Sequence, residues 1–72
     1  MLNIAVIGAG RIGHVHAKTI ASHPDAKLAL IADPFGAAAE KLAAEYGAAH
    51  TTDVDSVFTD EGVDAVVIGS PT

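Results

Sequence analysis

The sequence contains neither cysteine nor tryptophan, and its aromatic residues are one tyrosine and two phenylalanines. Without cysteine there are no disulfide bonds and no thiolate ligands for a metal. A chain of 72 residues buries a small share of its surface, and one so poor in aromatic residues lacks the usual means of stabilising a mini-domain. We therefore expect this chain to be part of a larger protein.

Basic residues are also scarce. Four lysines and arginines stand against nine acidic residues, which gives a net charge of −5. This balance argues against binding to a nucleic-acid backbone or to an acidic membrane surface. Long hydrophobic runs are missing as well: the first one, residues 2–7, has no basic residue before it and is too short for a signal peptide or a membrane span. A cytoplasmic location is expected.

Hydrophobic residues, by contrast, make up half of the chain, and charged residues make up 18%. This composition is typical of a folded chain whose strands are buried from both sides. Short apolar runs alternate with helical patterns, which predicts an α/β fold with a parallel, doubly wound sheet of strand order 3-2-1-4. The predicted strands cover residues 2–7, 27–33, 48–51 and 64–68, and the predicted helices cover residues 11–22, 35–46 and 52–60.

Helical spacing predicts which side chains of each helix face the sheet. In the second helix, Gly47 is expected to form the C-terminal cap. In the third, Thr52 and Asp55 resemble a capping box. The expected inward residues of the first helix are Ile12, Val15, His16, Thr19 and Ile20, and those of the second are Ala39, Leu42, Ala43 and Tyr46.

Residues 8–13 read Gly-Ala-Gly-Arg-Ile-Gly, which matches the pattern G-x-G-x-x-G. The pattern gains meaning because it follows a strand and opens a helix, as in the phosphate-binding turn of a Rossmann domain. The first glycine permits the tight turn, the second leaves room for a pyrophosphate, and the third lets the helix approach the sheet. Backbone N–H groups at the positive end of the helix would then face the phosphates. The alternative is a glycine-rich turn without a ligand; the predicted contacts are Gly8, Gly10, Arg11, Ile12 and Gly13.

An acidic residue, Asp33, ends the second strand 20 residues after Gly13, where a dinucleotide-binding domain places its ribose-binding carboxylate. A carboxylate accepts hydrogen bonds from ribose hydroxyls and repels the 2′-phosphate of NADP. Pro34 and Phe35 follow, instead of an arginine or serine that would receive that phosphate. The predicted cofactor is therefore NAD. The alternative is that Asp33 only caps the next helix, although both roles can coexist.

No metal site is predicted. The four histidines are too scattered to form a ligand set, and packing is the favoured role for His16 over direct contact with a cofactor. Asp53 and Asp55 fit the start of a helix better than a calcium loop.

Three stretches of the chain resemble the N-terminal part of the Gfo/Idh/MocA oxidoreductases, the family of glucose–fructose oxidoreductase and inositol dehydrogenase. Residues 6–13 with His16 are similar to the family pattern G-x-G-x-x-G-x-x-H, and residues 31–34 read Ile-Ala-Asp-Pro. Residues 64–72 resemble the pattern D-x-V-x-I-x-[ST]-P. The Gly-Arg-Ile-Gly sequence is most similar to the inositol 2-dehydrogenase branch.

This resemblance implies a protein several times longer, in which residues 1–72 form part of the dinucleotide-binding domain and a second domain binds a sugar or cyclitol. Such a protein would transfer a hydride from a secondary alcohol to NAD and would form a homo-oligomer. The Glu-Lys-Pro motif and the Asp/His catalytic pair of the family are absent from this chain, so no catalytic residue is predicted. The resemblance adds cofactor contacts near the nicotinamide from Ser70, Pro71 and Thr72.

Two other functions remain open at this point. A non-catalytic, NAD-sensing regulator can have the same fold, because fold does not fix function. A reductase of another Rossmann family is a weaker alternative, since the residues after the second and fourth strands match the sugar-oxidising family better.

Overall fold

The structure, a computed structural model, describes residues 1–69. Strands and helices alternate along the chain, which confirms the predicted α/β fold. The strands are β1 (Leu2–Ile7), β2 (Ala26–Ala32), β3 (Ala49–Thr51) and β4 (Ala65–Ile68). The helices are α1 (Arg11–Ala21), α2 (Gly36–Tyr46) and a 3-10 helix (Val54–Thr59).

The four strands form one parallel sheet in the order β3-β2-β1-β4, as predicted. Ile7 at the end of β1 pairs with Ala32 of β2 and with Ile68 of β4. The carboxyl ends of these strands are thus aligned, so the segments that follow them emerge at one edge of the sheet.

The start of β4 is fixed to β1 by two reciprocal hydrogen bonds. The backbone N–H of Asn3 donates to a carboxylate oxygen of Asp64 over 2.8 Å, and the N–H of Asp64 donates to the carbonyl oxygen of Asn3 over 2.8 Å. This arrangement gives Asp64 a structural role at the other end of the sheet from the glycine turn.

Hydrophobic clusters cover both faces of the sheet, because side chains of a strand alternate between its faces. α1 and α2 pack on one face, and the 3-10 helix packs on the other through Val57. The cluster under α1 and α2 contains Val6, Ala9, Ala17, Ile20, Leu28, Ile31, Ala39, Leu42 and Ala43. The cluster on the opposite face contains Ala5, Ile7, Leu30, Ala32 and Val57.

The predicted inward face of α1 is wrong in part. Ile12 and Val15 are 56% and 57% exposed, and Thr19 is also exposed. The buried residues are Gly13, Ala17 and Ile20, with His16 half-buried. The spacing is helical in both cases, but the inward stripe consists mainly of small residues because α1 lies close to the sheet.

The residues that bury α2 are those predicted: Ala39, Leu42 and Ala43 are buried, and Tyr46 packs against them. Gly47 ends the helix in the left-handed conformation, with φ of 68°, as a C-terminal cap glycine does.

The predicted capping box of the third helix is also wrong. Asp53, not Thr52, occupies the cap position, and its carboxylate accepts a hydrogen bond from the N–H of Ser56 over 3.3 Å. The N–H of Asp53 in turn donates to the hydroxyl oxygen of Thr51 over 3.0 Å. These local bonds place the cap one residue later and leave a 3-10 helix of six residues. Across residues 1–69, no helix has both the length and the apolar character needed to cross a membrane.

We expect Leu42→Ala to lower the free energy of unfolding by about 2–5 kcal/mol, or to unfold the chain outright, because this side chain is fully buried. The matched control is Leu2→Ala, at a position that is 53% exposed, with an expected change within about 0.5 kcal/mol. Urea denaturation followed by circular dichroism measures both. Equal losses for the two leucines would contradict this assignment of the core.

Candidate dinucleotide-binding site

The turn after β1 begins at Gly8, whose φ of 107° is unfavourable for any residue with a side chain. Its N–H donates to the carbonyl oxygen of Ala32 over 2.7 Å, which continues the pairing of β1 with β2 beyond Ile7. Gly8 therefore ends the strand and redirects the chain toward α1 while the turn stays attached to the sheet.

Gly13 lies against this turn. A Cβ atom at position 13 would collide with the carbonyl oxygen of Gly8 and would lie 2.7 Å from its carbonyl carbon. The absence of a side chain thus sets how closely the first turn of α1 approaches the end of β1.

Gly10 differs from Gly13, because a Cβ atom at this position would meet no atom of the described chain within 4 Å. Its backbone is extended, with φ of −80° and ψ of −163°, so its conformation does not demand glycine. The packing of the chain therefore gives no reason for glycine here. The open space beside the backbone fits the close approach of a ligand such as a pyrophosphate.

The N-terminus of α1 presents unsatisfied donors to the same space. Gly10 occupies the N-cap position and has no side chain with which to cap the helix. The first turn of α1 contains no acidic residue, and the exposed Arg11 adds a positive charge. Backbone N–H groups of a first turn lack acceptors within the helix. Together with the helix dipole, they suit the binding of an anionic group.

Asp33 connects this turn to the segment after β2. One carboxylate oxygen accepts a hydrogen bond from the N–H of Ala9 over 2.7 Å, and the other accepts from the N–H of Phe35 over 2.8 Å. Phe35 is the N-cap residue of α2, and no side chain caps that helix. Asp33 therefore does not cap α2, and its bond to Phe35 closes a local turn between β2 and α2. A carboxylate has about four acceptor positions, and two further positions remain for hydroxyl groups.

His16 packs where β4 ends. Its Cδ2 atom would lie 3.2 Å from a Cβ placed on Gly69, and the residue is half-buried. This contact supports the packing role for His16. Nδ1 of His14 lies 3.9 Å from a carboxylate oxygen of Glu45, and both side chains are about half exposed, so the pair contributes little.

Two further sequence predictions concern the last three residues and metal binding. Ser70, Pro71 and Thr72 lie outside the described residues. Within residues 1–69, no three histidine or acidic side chains come close enough together to hold a metal ion.

Sequence reasoning missed the position of Phe35. This aromatic side chain is 78% exposed and lies two residues beyond Asp33. In the sequence, Phe35 begins the predicted second helix and is a residue that cannot receive a phosphate. A large apolar side chain directly after the expected ribose carboxylate was the signal that could have found it.

Comparison with known protein families identifies the family to which this chain belongs. Residues 2–72 match the model of the Gfo/Idh/MocA group, described as an oxidoreductase family with an NAD-binding Rossmann fold. The chain belongs to this family. The resemblance carried by the glycine turn, by Asp33 and by residues 64–72 is therefore confirmed, and so is NAD as the cofactor.

Inositol dehydrogenases are among the similar proteins. The chain is 45% identical over 71 residues to inositol 2-dehydrogenase from Rhizobium meliloti, covering 99% of this chain and 21% of that protein. It superposes on a myo-inositol dehydrogenase from Corynebacterium glutamicum with a TM-score of 0.91 and 52% identity, over 99% of this chain and 21% of the other. The scyllo-inositol dehydrogenase from Lactobacillus casei, solved with NAD(H) and scyllo-inositol, gives a TM-score of 0.85 at 32% identity. This match covers 99% of this chain and 22% of the other. The chain thus spans about a fifth of the length of these relatives.

Substitutions at two glycines should separate packing from ligand binding. We expect Gly13→Ala to lower the free energy of unfolding by about 1–3 kcal/mol, because the new methyl group collides with the Gly8 carbonyl. Gly10→Ala should change it by no more than about 0.5 kcal/mol but should weaken NAD binding about tenfold, since the methyl group enters the open space.

Urea denaturation and calorimetric titration with NAD measure these two effects. A Gly10→Ala variant that binds NAD as tightly as the unsubstituted chain would show that the pyrophosphate does not approach Gly10.

Proposed function

We propose that this chain is the cofactor-binding part of an NAD-dependent dehydrogenase that oxidises a secondary alcohol of a cyclitol such as inositol. Bound NAD would supply the acceptor for the hydride that leaves the alcohol carbon. The observation that carries the proposal is the position of the Asp33 carboxylate. It lies at the carboxyl end of β2 and is tied to the glycine turn through Ala9.

The residues fit the adenosine and pyrophosphate half of the cofactor. Gly8, Gly10 and Gly13 shape the turn, and the N–H groups of Arg11 and Ile12 at the start of α1 offer donors to the phosphates. The free acceptor positions of Asp33 suit the 2′- and 3′-hydroxyls of the adenosine ribose.

A preference for NAD over NADP follows from charge. A 2′-phosphate would place a second negative group beside the Asp33 carboxylate. Repulsion between two like charges is strong where water is partly excluded. The two residues after Asp33 are proline and phenylalanine, which offer no positive charge to that phosphate. We therefore assign NAD as the preferred cofactor.

The cyclitol substrate is proposed from the relatives. They are named inositol dehydrogenases, and they match nearly the whole length of this chain. Their greater length supports residues 1–72 as part of a dinucleotide-binding domain in a protein that also has a substrate domain. That second domain would supply the general base that removes the hydroxyl proton. Contacts from Ser70, Pro71 and Thr72 near the nicotinamide, a homo-oligomeric assembly and a cytoplasmic location complete the proposal.

Titration with NAD and NADP tests the cofactor assignment. We expect NAD to bind more tightly, with NMR shifts concentrated at Gly8, Gly10, Gly13 and Asp33. Asp33→Ser should reduce the ratio of the NAD and NADP affinities by about tenfold or more, which is about 1.4 kcal/mol. Serine retains an oxygen that can accept from the N–H of Phe35 but removes the charge.

The matched control is Asp25→Ser, which removes an exposed carboxylate that precedes β2, at the opposite end of that strand from Asp33. This variant should keep the original preference. If Asp33→Ser also left the ratio unchanged, the ribose role of Asp33 would be wrong.

The substrate is tested with the complete protein that carries this chain. We expect NAD reduction, followed by absorbance at the wavelength of NADH, when myo-inositol or scyllo-inositol is added. Tight NAD binding without turnover of any cyclitol or sugar would instead favour the NAD-sensing regulator.

A further inference from the structure

The most exposed aromatic side chain of the described residues, that of Phe35, lies beside the proposed ribose site. Exposure alone means little, because isolated apolar side chains are common on protein surfaces. What distinguishes Phe35 is the way its backbone is held.

Hydrogen bonds fix Phe35 on both sides. Its N–H donates to the Asp33 carboxylate over 2.8 Å, and its carbonyl oxygen accepts from the N–H groups of Ala38 and Ala39, both over 3.1 Å. The same carboxylate holds Ala9 of the glycine turn. The backbone of Phe35 is therefore hydrogen-bonded to the elements that would bind the ribose and the phosphates, whereas its side chain is largely exposed to solvent.

The structure of NAD explains what such a side chain could contact. The adenine base is attached to C1′ of the ribose, next to the carbon that carries the 2′-hydroxyl. A carboxylate that binds this hydroxyl therefore brings the base within reach of the residues that follow it in the chain. A phenylalanine ring presents a flat apolar face without hydrogen-bonding groups, which suits stacking against a purine.

The other aromatic residues are placed differently. Tyr46 is half-buried and packs against the cluster under α1 and α2. Phe58 is 61% exposed but belongs to the 3-10 helix on the connection between β3 and β4. Neither has a hydrogen-bonded link to the Asp33 carboxylate within the described residues.

We propose that Phe35 is the platform on which the adenine ring of NAD stacks. This inference rests on the proposed NAD site and adds to it an apolar contact that the glycine turn and Asp33 do not provide. The contact orients the base and excludes water from one of its faces. It does not discriminate NAD from NADP, because both carry the same adenine.

The test is a comparison of NAD and AMP affinities for the complete protein that carries this chain and for three variants of it. Phe35→Ala should weaken the binding of both ligands about tenfold, within the range found for stacking of a base on an aromatic ring. Phe35→Tyr should restore most of the affinity, because the aromatic face is retained. Phe58→Ala should bind as the unsubstituted chain does. Nuclear Overhauser effects between the adenine H2 or H8 protons and the Phe35 ring should appear in the NAD complex.

The outcomes separate this inference from the function on which it rests. If the unsubstituted chain binds NAD but Phe35→Ala binds it equally well, the stacking role is overturned and the NAD site stands. A loss of affinity without any contact between the adenine protons and the Phe35 ring also overturns it. If the complete, unsubstituted protein binds neither NAD nor AMP, the proposed NAD site fails and the stacking role fails with it. Thermal unfolding of Phe35→Ala should match that of the unsubstituted chain, since an exposed side chain is removed.

Discussion

The contact between Gly13 and the carbonyl group of Gly8 determines where α1 begins relative to β1. No side chain fits between the two backbones, so the first turn of the helix lies directly against the end of the strand. Ala17 continues this close approach one turn later and is fully buried. The same contact leaves the larger Ile12 and Val15 on the outside and aims the N-terminus of α1 at the edge of the sheet where the strands end.

The Asp33 carboxylate depends on this arrangement and in turn supports it. Parallel pairing brings the ends of β1 and β2 side by side, because Ile7 lies opposite Ala32. Asp33 can therefore reach Ala9 across the edge of the sheet and Phe35 along its own chain. The turn is thus held by the protein's own hydrogen bonds, and a site organised in this way loses less conformational entropy when a ligand binds.

Much of the fold could be predicted because it follows from local patterns. A few consecutive residues determine each of these features: the apolar runs, the glycine turn and the left-handed cap at Gly47. The inward face of α1 could not be predicted by hydrophobicity, since close packing selected Gly13 and Ala17 over Ile12 and Val15. The bond from Asp33 to Ala9 joins residues 24 positions apart, and nothing in the local sequence indicates it.

The chemistry of this half-site explains how it can persist while sequences diverge. Most of its donors are backbone N–H groups, which any residue supplies provided that the turn keeps its shape. A relative at 32% identity accordingly superposes on this chain with a TM-score of 0.85. In the proposed site, side-chain identity matters at few positions: at the glycines for space, at Asp33 for charge and at Phe35 for an apolar face. A site built in this way suits a dinucleotide and does not by itself determine what the rest of the protein acts on.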